Sequence, residues 1–597
     1  MLKIRISINT ISVISAGYKQ MKSNTDVATK NNPVVIALDL GGTWVKGAAI
    51  SPQGAVTGEV GEIRRWPNPL HTVVTGKEFA ARLADICHEL SGGAPISAVV
   101  AATAGEVNPA GNRYICAGQH LGVMGSTPWV EKLTPILGCP VTLINDAEAF
   151  LLGFADSGGL PFDKNVGGLV LGTGLGFSVV RQGRLWKPNR RLLHFGDIET
   201  SLGDYNHWVS AVRASENGVF KSHATNQQEY FQALTSVVAS AANFFHLDFI
   251  VLGGGAIDAA RTAGLDLIGV LKKEIPTHIL PGNVVPEIIA AAEGNRTILR
   301  GALALAIGNS AAESVRFLGN FNLLSTETTH PQAAMDTLSA EAIVQILANA
   351  EKTAAEQFCN SASALARGAE MVSEAIKNGG RIIYVGAGTS GRVGAMDAVE
   401  IPCTFGLSPD RFVAVIAGGI ADSALSIESE HEEDYPSTPD LLLLTLTPQD
   451  LVIGVSASGT AFFVRSALAF ARTKGAKTIF IHEADLLDVP HIADHFIRLA
   501  SGPELLGGST RMKAGTATKK ALNILSATAM VILGKAQQGE LLDLDPLFNA
   551  KIMQRAIRTL ARLGEISEKQ AAALLAQYNY KLRDALDSLK NENRLVT

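Results

Sequence analysis

Cysteine is scarce in this 597-residue chain, with five residues (Cys87, Cys116, Cys139, Cys359 and Cys403) and no CxxC or CxxH spacing among them. That argues against a disulfide framework or a structural zinc site and fits a reducing, cytoplasmic setting. Long apolar runs are missing too. No uninterrupted stretch reaches the roughly 20 residues a bilayer demands, so no membrane partner is expected. Nor is there an excess of positive charge. Lys and Arg number 51 against 56 Asp and Glu, a formal net charge of −5, which removes the electrostatic reason to expect nucleic acid. Internal repeats and low-complexity tracts are also lacking.

What remains is a chain 47% hydrophobic and 18% charged, the balance of a well-buried globular protein. Its length calls for two to four domains. Residues 1–32 carry basic residues and a broken apolar run without a convincing cleavage site. They are expected to be a disordered extension, with Met21 as an alternative start. From residue 34 to about 308, β-rich runs alternate with Ala- and Leu-rich helical stretches, and 34–38, 98–102, 141–144, 168–171 and 249–252 read as buried strands. The pattern dissolves between Asn309 and His330, which places one domain at 33–312 and the next at 313–544. Helices over 335–377 stop at Asn378-Gly379-Gly380. A second alternation follows, with strands expected at 381–385, 412–417, 451–455 and 477–481, and it implies a parallel sheet covered by helices. Residues 545–597 read as a helical appendage.

Four glycine-rich or acidic turns punctuate the first half. Asp39-Leu40-Gly41-Gly42-Thr43 lies between two expected strands, where glycines let backbone N–H groups approach phosphate oxygens. Asp39 is placed to hold Mg²⁺ through water, and Thr43 to donate a hydrogen bond to a phosphate. Gly172-Thr173-Gly174-Leu175-Gly176 offers a second phosphate loop. Gly253-Gly254-Gly255 suits close approach to a nucleotide base or ribose. Asn145-Asp146 ends a strand where a carboxylate would project into a cleft. Each turn alone reads equally well as a plain strand connection.

In this order the four resemble the sugar kinases of the actin-like ATPase superfamily, specifically the glucokinase-like ROK branch, over residues 34 to about 308. The resemblance implies an α/β, two-lobed, RNase H-like domain closing on ATP, Mg²⁺ and a sugar. It makes Asp146 the general base for the attacking hydroxyl. Two departures stand out. The cysteine-rich zinc motif of many ROK proteins is absent, so no metal beyond Mg²⁺ is implied. His194-Phe195-Gly196-Asp197-Ile198-Glu199 occupies the place of the usual Glu-x-Gly-His segment. His194, Asp197, Glu199 and Asn145 are therefore candidate contacts to a sugar other than plain glucose. A catalytically silent sugar-sensing lobe is the alternative.

The second half opens on Gly386-Ala387-Gly388-Thr389-Ser390-Gly391, formally GxGxxG between a strand and a helix. A dinucleotide site also wants an acidic residue ending the next strand, and Gly418-Gly419 stands there instead. The hydroxyls of Thr389 and Ser390 suit a compact phosphate at a helix N-terminus. Ser456-Ala457-Ser458-Gly459-Thr460 offers the same chemistry after another strand. Two such turns on one parallel sheet resemble the SIS (sugar isomerase) fold. Gly386 to Arg392, Asp397-Ala398-Val399-Glu400, Gly502-Pro503-Glu504 and Gly508-Ser509-Thr510-Arg511-Met512-Lys513-Ala514-Gly515 together resemble N-acetylmuramic acid 6-phosphate etherases, from about residue 323 to 597.

That resemblance implies elimination of D-lactate from the open-chain sugar phosphate and addition of water, with no cofactor. It makes Glu400 the acid and places the base in the acidic segment 427–434. Glu433 is the chosen residue, with Glu432 and Glu430 as fallbacks. The sugar phosphate is expected to meet Gly388, Thr389, Ser390, Ser456, Ser458, Gly459, Thr460, Glu504, Ser509, Arg511 and Lys513. The family usually has an arginine after its second Ser-Gly, where this chain has Thr460. The expected whole is a cytoplasmic, homodimeric, bifunctional enzyme that phosphorylates N-acetylmuramic acid or a related amino sugar and then cleaves the lactyl ether. The rival is a sugar kinase fused to a sugar-phosphate sensor, since this fold is shared with the regulator of animal glucokinase. An aminosugar-phosphate isomerase is a third reading, disfavoured by the Arg511-Met512-Lys513-Ala514-Gly515 run.

Overall fold

The run Val34–Leu40 is apolar except for Asp39, and as strand β1 it is buried from Val35 onward. In the computed structural model it turns at residues 41–43 into antiparallel β2 (Trp44–Ile50), which pairs with β3 (Arg64–Pro67). On its other side β1 runs parallel to β4 (Ile96–Thr103), and β4 to β5 (Val141–Asn145). Helices α1 (Gly76–Ser91) and α2 (Trp129–Leu137) supply a shared core to this sheet, with Phe79 and Trp129 edge to face at 5.3 Å. A Thr75–Glu78 capping box starts α1, and a left-handed Gly92 ends it. Helix α3 (Asp146–Asp156) begins where β5 ends.

The chain then repeats itself. Strand β6 (Val166–Leu171) turns into antiparallel β7 (Leu175–Arg181), which pairs with β8 (Arg184–Leu185). Helix α4 (Gln227–Phe245) leads to β9 (Phe249–Gly253), parallel to β6, and after α5 (Gly255–Thr262) comes β10 (Glu287–Ala290), parallel to β9. The first sheet has the order β3-β2-β1-β4-β5 and the second β8-β7-β6-β9-β10, with matching strand directions. Each sheet has its own apolar core. The repeat lies in the path of the chain, not in its residues, and this is why no internal repeat is visible in the sequence. It puts the Gly41–Thr43 and Gly172–Gly174 turns at equivalent hairpins. Helix α6 (Gly294–Glu313) crosses α3, where Gly153 lies against the carbonyl of Thr297 and Gly301 against that of Ala149. Arg300 Nε donates to Asp156 Oδ2 beside this crossing at 2.9 Å.

The described residues are 32–50, 62–73, 75–108, 111–116, 122–161, 164–172, 174–181, 184–186, 199–200, 203–204, 209, 227–292, 294–313, 325–328, 335–419, 437–484 and 492–596. Two compact units divide the chain, Met1–Ser310 and Ala311–Thr597. The proposed extension at 1–32 falls, but for Asn32, outside the described residues.

The second unit starts with α7 (Ala340–Phe358) and α8 (Ala362–Lys377). Its sheet holds β11 (Ile382–Gly386), β12 (Phe412–Ile416), β13 (Leu451–Val455), β14 (Lys477–His482) and β15 (His495–Arg498). All neighbours are parallel, in the order β12-β11-β13-β14-β15. Such strands need both faces covered, which explains runs as apolar as Leu451-Val-Ile-Gly-Val455. Helices α9 (Gly388–Phe405), α10 (Phe462–Thr473) and α11 (Lys513–Ile532) do much of the covering. At the strand starts, Arg381 grips the buried Asp450 through Nη2 at 2.7 Å and Nε at 3.1 Å. Burial alone would raise the Asp450 carboxyl, but bonds from Arg381 and Thr447 hold it below its ordinary range. A three-helix bundle, α12 (Ala550–Gly564), α13 (Glu568–Gln577) and α14 (Leu582–Val596), closes the chain around a small core of its own. Arg583 ties it to Asp543 at 2.7 and 2.9 Å.

Candidate active sites

In the first unit, the tight hairpin sets Asp39 directly opposite Lys46, and Lys46 Nζ donates to Asp39 Oδ2 at 3.1 Å. The Gly41–Thr43 turn is held from outside by Asn68, whose Nδ2 donates to Gly41 O at 2.6 Å and whose N–H donates to Thr43 O at 2.9 Å. The second hairpin closes through Gly172 N–H to Gly174 O at 2.9 Å. Thr173 lies outside the described residues. Gly176 faces Asp146, since a Cβ there would stand 3.5 Å from Asp146 Oδ1. Gly254 has φ +95°, and a Cβ would meet Leu171 O at 2.6 Å, so only glycine fits. Gly253 lies against the Phe150 ring, and Gly255 opens α5.

Asp146 is the first residue of α3, and its Oδ1 accepts from Ala147 N–H at 2.8 Å. Enclosure by protein, then the negative charge of Asp39, push its carboxyl up to about 6 despite that hydrogen bond. A carboxylate of that pKa, next to glycine turns, is equipped to accept a proton near neutrality. Asn145, a candidate sugar contact, caps α3, accepting from Ala147 and Glu148 N–H and donating to Gly105 O at 3.1 Å. His194 and Asp197 are outside the described residues. Glu199 belongs to a two-residue strand paired with Gly203–Asp204, and its side chain is likewise outside. Lys46 and Asn68 escaped the sequence reading. Lys46 was legible in principle, because a tight turn after Asp39 fixes its cross-strand partner.

In the second unit the strand order reverses between β11 and β13, and ligands of open α/β sheets sit outside the carboxyl ends of the strands at such a point. Both serine-rich turns are there. Gly388, Thr389 and Ser390 form the first turn of α9, whose N-cap Ala387 lends no side-chain bond. The N-cap of α10, Ala461, lends none either. Just ahead of it, Gly459 N–H donates to Ser456 Oγ at 3.1 Å, and the Ser458 and Thr460 hydroxyls pair at 2.7 Å. Two long helices thus present N-terminal turns without side-chain caps, the arrangement that receives an anion. The third helix differs. Glu504 caps α11, accepting from Lys513 N–H at 3.3 Å and Ala514 N–H at 3.0 Å. Buried Lys513 donates from Nζ to Ser501 O and Pro503 O, fastening the same loop. Ser509 and Thr510 are half-buried and Arg511 is exposed. The first turn of α11 also adjoins the first glycine loop, since a Cβ on Gly515 would lie 3.2 Å from Thr389 Cγ2.

Glu400 is exposed on α9, about 16 Å along the helix from Thr389 by the helical rise. Its motif partner Asp397 is buried and accepts from the Tyr384 hydroxyl at 2.7 Å, Asn523 at 2.8 Å and Ser526 at 3.2 Å. Burial raises the Asp397 carboxyl more than these bonds lower it. Glu430, Glu432 and Glu433 all lie outside the described residues. Among the described residues no three His, Cys, Asp or Glu side chains cluster as metal ligands, and no helix is long and apolar enough to cross a membrane.

The duplicated hairpin sheets and the fully parallel sheet define a two-part α/β protein. Residues 35–194 match the ROK family, and residues 364–472 match the N-terminal SIS domain of glucokinase regulatory protein. An N-acetylmuramic acid 6-phosphate etherase from Picosynechococcus sp. is 41% identical over 264 residues, 44% of this chain and 87% of that protein. One from Gloeobacter violaceus is 40% identical, covering 44% and 86%. Through its C-terminal half, the chain belongs to the N-acetylmuramic acid 6-phosphate etherase family. Among solved structures, a ROK family glucokinase from Streptomyces griseus in complex with glucose and AMPPNP is 19% identical, covering 46% of this chain and 98% of that one, with a TM-score of 0.39.

Proposed function

We propose that this chain carries out two consecutive steps of cell-wall sugar recovery. The N-terminal unit transfers phosphate from ATP to O6 of N-acetylmuramic acid, and the C-terminal unit converts the product to N-acetylglucosamine 6-phosphate and D-lactate. The observation that carries the reading is the 41% identity across 87% of an etherase, joined to a ROK match in the same chain.

In the kinase step Asp146 takes the proton from the 6-hydroxyl, whose oxygen forms the new bond to phosphorus as ADP departs. The glycine hairpins admit the phosphates without side-chain obstruction. Buried Asp39, engaged on one oxygen by Lys46 and close enough for its charge to raise the Asp146 carboxyl, fits a hard divalent cation, which is ordinarily held by one or two carboxylates plus phosphates and water. Bound there with the nucleotide, Mg²⁺ would offset phosphate charge.

In the etherase step a carboxylate removes the C2 proton, and the C3–O bond breaks with its electron pair passing to the lactyl oxygen. Glu400 protonates that oxygen, and water then adds across the C2–C3 double bond. Glu433 is our choice for the base. The distance along α9 between Thr389 and Glu400 exceeds the span of a hexose phosphate, and Met396 and Val399 beside Glu400 are exposed. Both features support a homodimer in which one copy's Glu400 serves sugar held by the other.

D-lactate release from N-acetylmuramic acid, with and without ATP and Mg²⁺, tests the reading. Release only with ATP supports both steps and their order. Release only when the 6-phosphate is supplied would reassign the kinase sugar. One observation favours a second reading, a kinase fused to a sugar-phosphate sensor. The matched SIS model is that of a regulatory protein. Silence on both substrates would leave that reading in place.

A further inference from the structure

We propose that Arg465 is a positioning residue of the etherase site, one that fixes the second serine turn and sets a permanent positive charge behind it. The proposal rests on the etherase reading above. Helix α10 is buried on every side from Phe462 to Ala471, and Arg465 is the one charged residue in that stretch, only 2% exposed. Its guanidinium folds back past the start of its own helix, and Nη1 donates to Gly459 O at 3.1 Å. Gly459 has φ +75°, the left-handed conformation that favours glycine. Ser456 Oγ holds the N–H of the same residue at 3.1 Å. Arg465 and Ser456 thus pin both sides of the glycine between the Ser458 and Thr460 hydroxyls.

The charge placement points the same way. A cation in the first turn of a helix opposes the helix dipole. For α10 alone the position is a poor one. For a turn that receives a phosphate or carboxylate, the guanidinium and the helix end act together on the anion. Thr460 stands where the resemblance led us to expect an arginine, so here the guanidinium reaches the turn from the helix instead.

The test compares wild type, Arg465→Lys, Arg465→Leu and the double variant Thr460→Arg/Arg465→Leu as full-length chains. Each is assayed for D-lactate release from N-acetylmuramic acid 6-phosphate and for inhibition by inorganic phosphate. Arg465→Leu should raise KM and weaken phosphate inhibition about tenfold, with a smaller effect on kcat. Arg465→Lys should recover part of the loss, and the double variant most of it. Unchanged KM and phosphate inhibition in folded Arg465→Leu would overturn the proposal. So would loss of activity that Thr460→Arg does not repair, because that pattern belongs to a purely structural arginine. A wild-type chain silent on this substrate would instead sink the etherase reading, and the proposal with it.

Discussion

Replacing Asp146 by Asn removes the proposed kinase base while keeping its shape and its place at the start of α3. The carboxyl moves from 3.8 to about 6 on folding, so its ionisation in the site is uphill by up to about 3 kcal/mol. Two readouts follow. In wild type, ATP turnover with N-acetylmuramic acid should fall roughly tenfold per pH unit below about 6, because the base must be ionised to accept the hydroxyl proton. Asp146→Asn should lower kcat by about 10²- to 10⁴-fold and abolish that acid limb. The stability effect has the opposite sign. A carboxyl whose folded pKa is raised favours the protonated form, so it penalises the folded unit once pH rises through the window from 3.8 to about 6. Near pH 7 the Asn variant should therefore unfold at a higher temperature than wild type, and the gain should vanish below about pH 4. Lactate release from the 6-phosphate, measured on the same samples, serves as an internal control. An acid limb centred near 4, or an inactive variant that is also less stable at neutral pH, would refute the assignment.

Glu400→Gln should reduce lactate release by about 10²-fold or more while ATP turnover is untouched, and parallel loss of both activities would contradict independent units. Gly254→Ala must accommodate φ +95° and a Cβ 2.6 Å from Leu171 O. A cost of about 2–3 kcal/mol should make kinase activity fail at lower temperature than lactate release, as paired thermal inactivation would show. Asp397→Ala strands the buried Tyr384 hydroxyl and two further donors, so urea unfolding of the second unit should weaken by about 3–5 kcal/mol, whereas Asp397→Asn, which keeps one acceptor, should lose less.

The fold was legible where burial writes itself into the sequence. Strands expected at 141–144, 249–252, 451–455 and 477–481 lie within β5, β9, β13 and β14, because strands covered on both faces must be apolar throughout and their ends carry glycine or polar residues. The observed strands run a residue or two further where a neighbour continues the ladder, as at Leu40, which pairs with both Val45 and Thr103. Long-range partnerships left no such trace. Asn68 supports a turn far upstream of it, and the reach of Arg465 from inside its helix back to Gly459 has no signature in the spacing. Glu504 and Asn145 stood out by their motifs, while the bonds by which each also caps a helix start are a matter of geometry that spacing does not reveal.

The crossing of α3 and α6 has a mechanical consequence. Helices usually engage like gears, with side-chain ridges of one seated in grooves of the other, and a change of angle must lift teeth out of slots. At Gly153 and Gly301 there are no teeth, only backbone resting on backbone, with the Arg300–Asp156 pair to one side. Such a contact seats the two helices as closely as their backbones allow, and its fit depends on both glycines staying bare. A single methyl group at either glycine would force it apart.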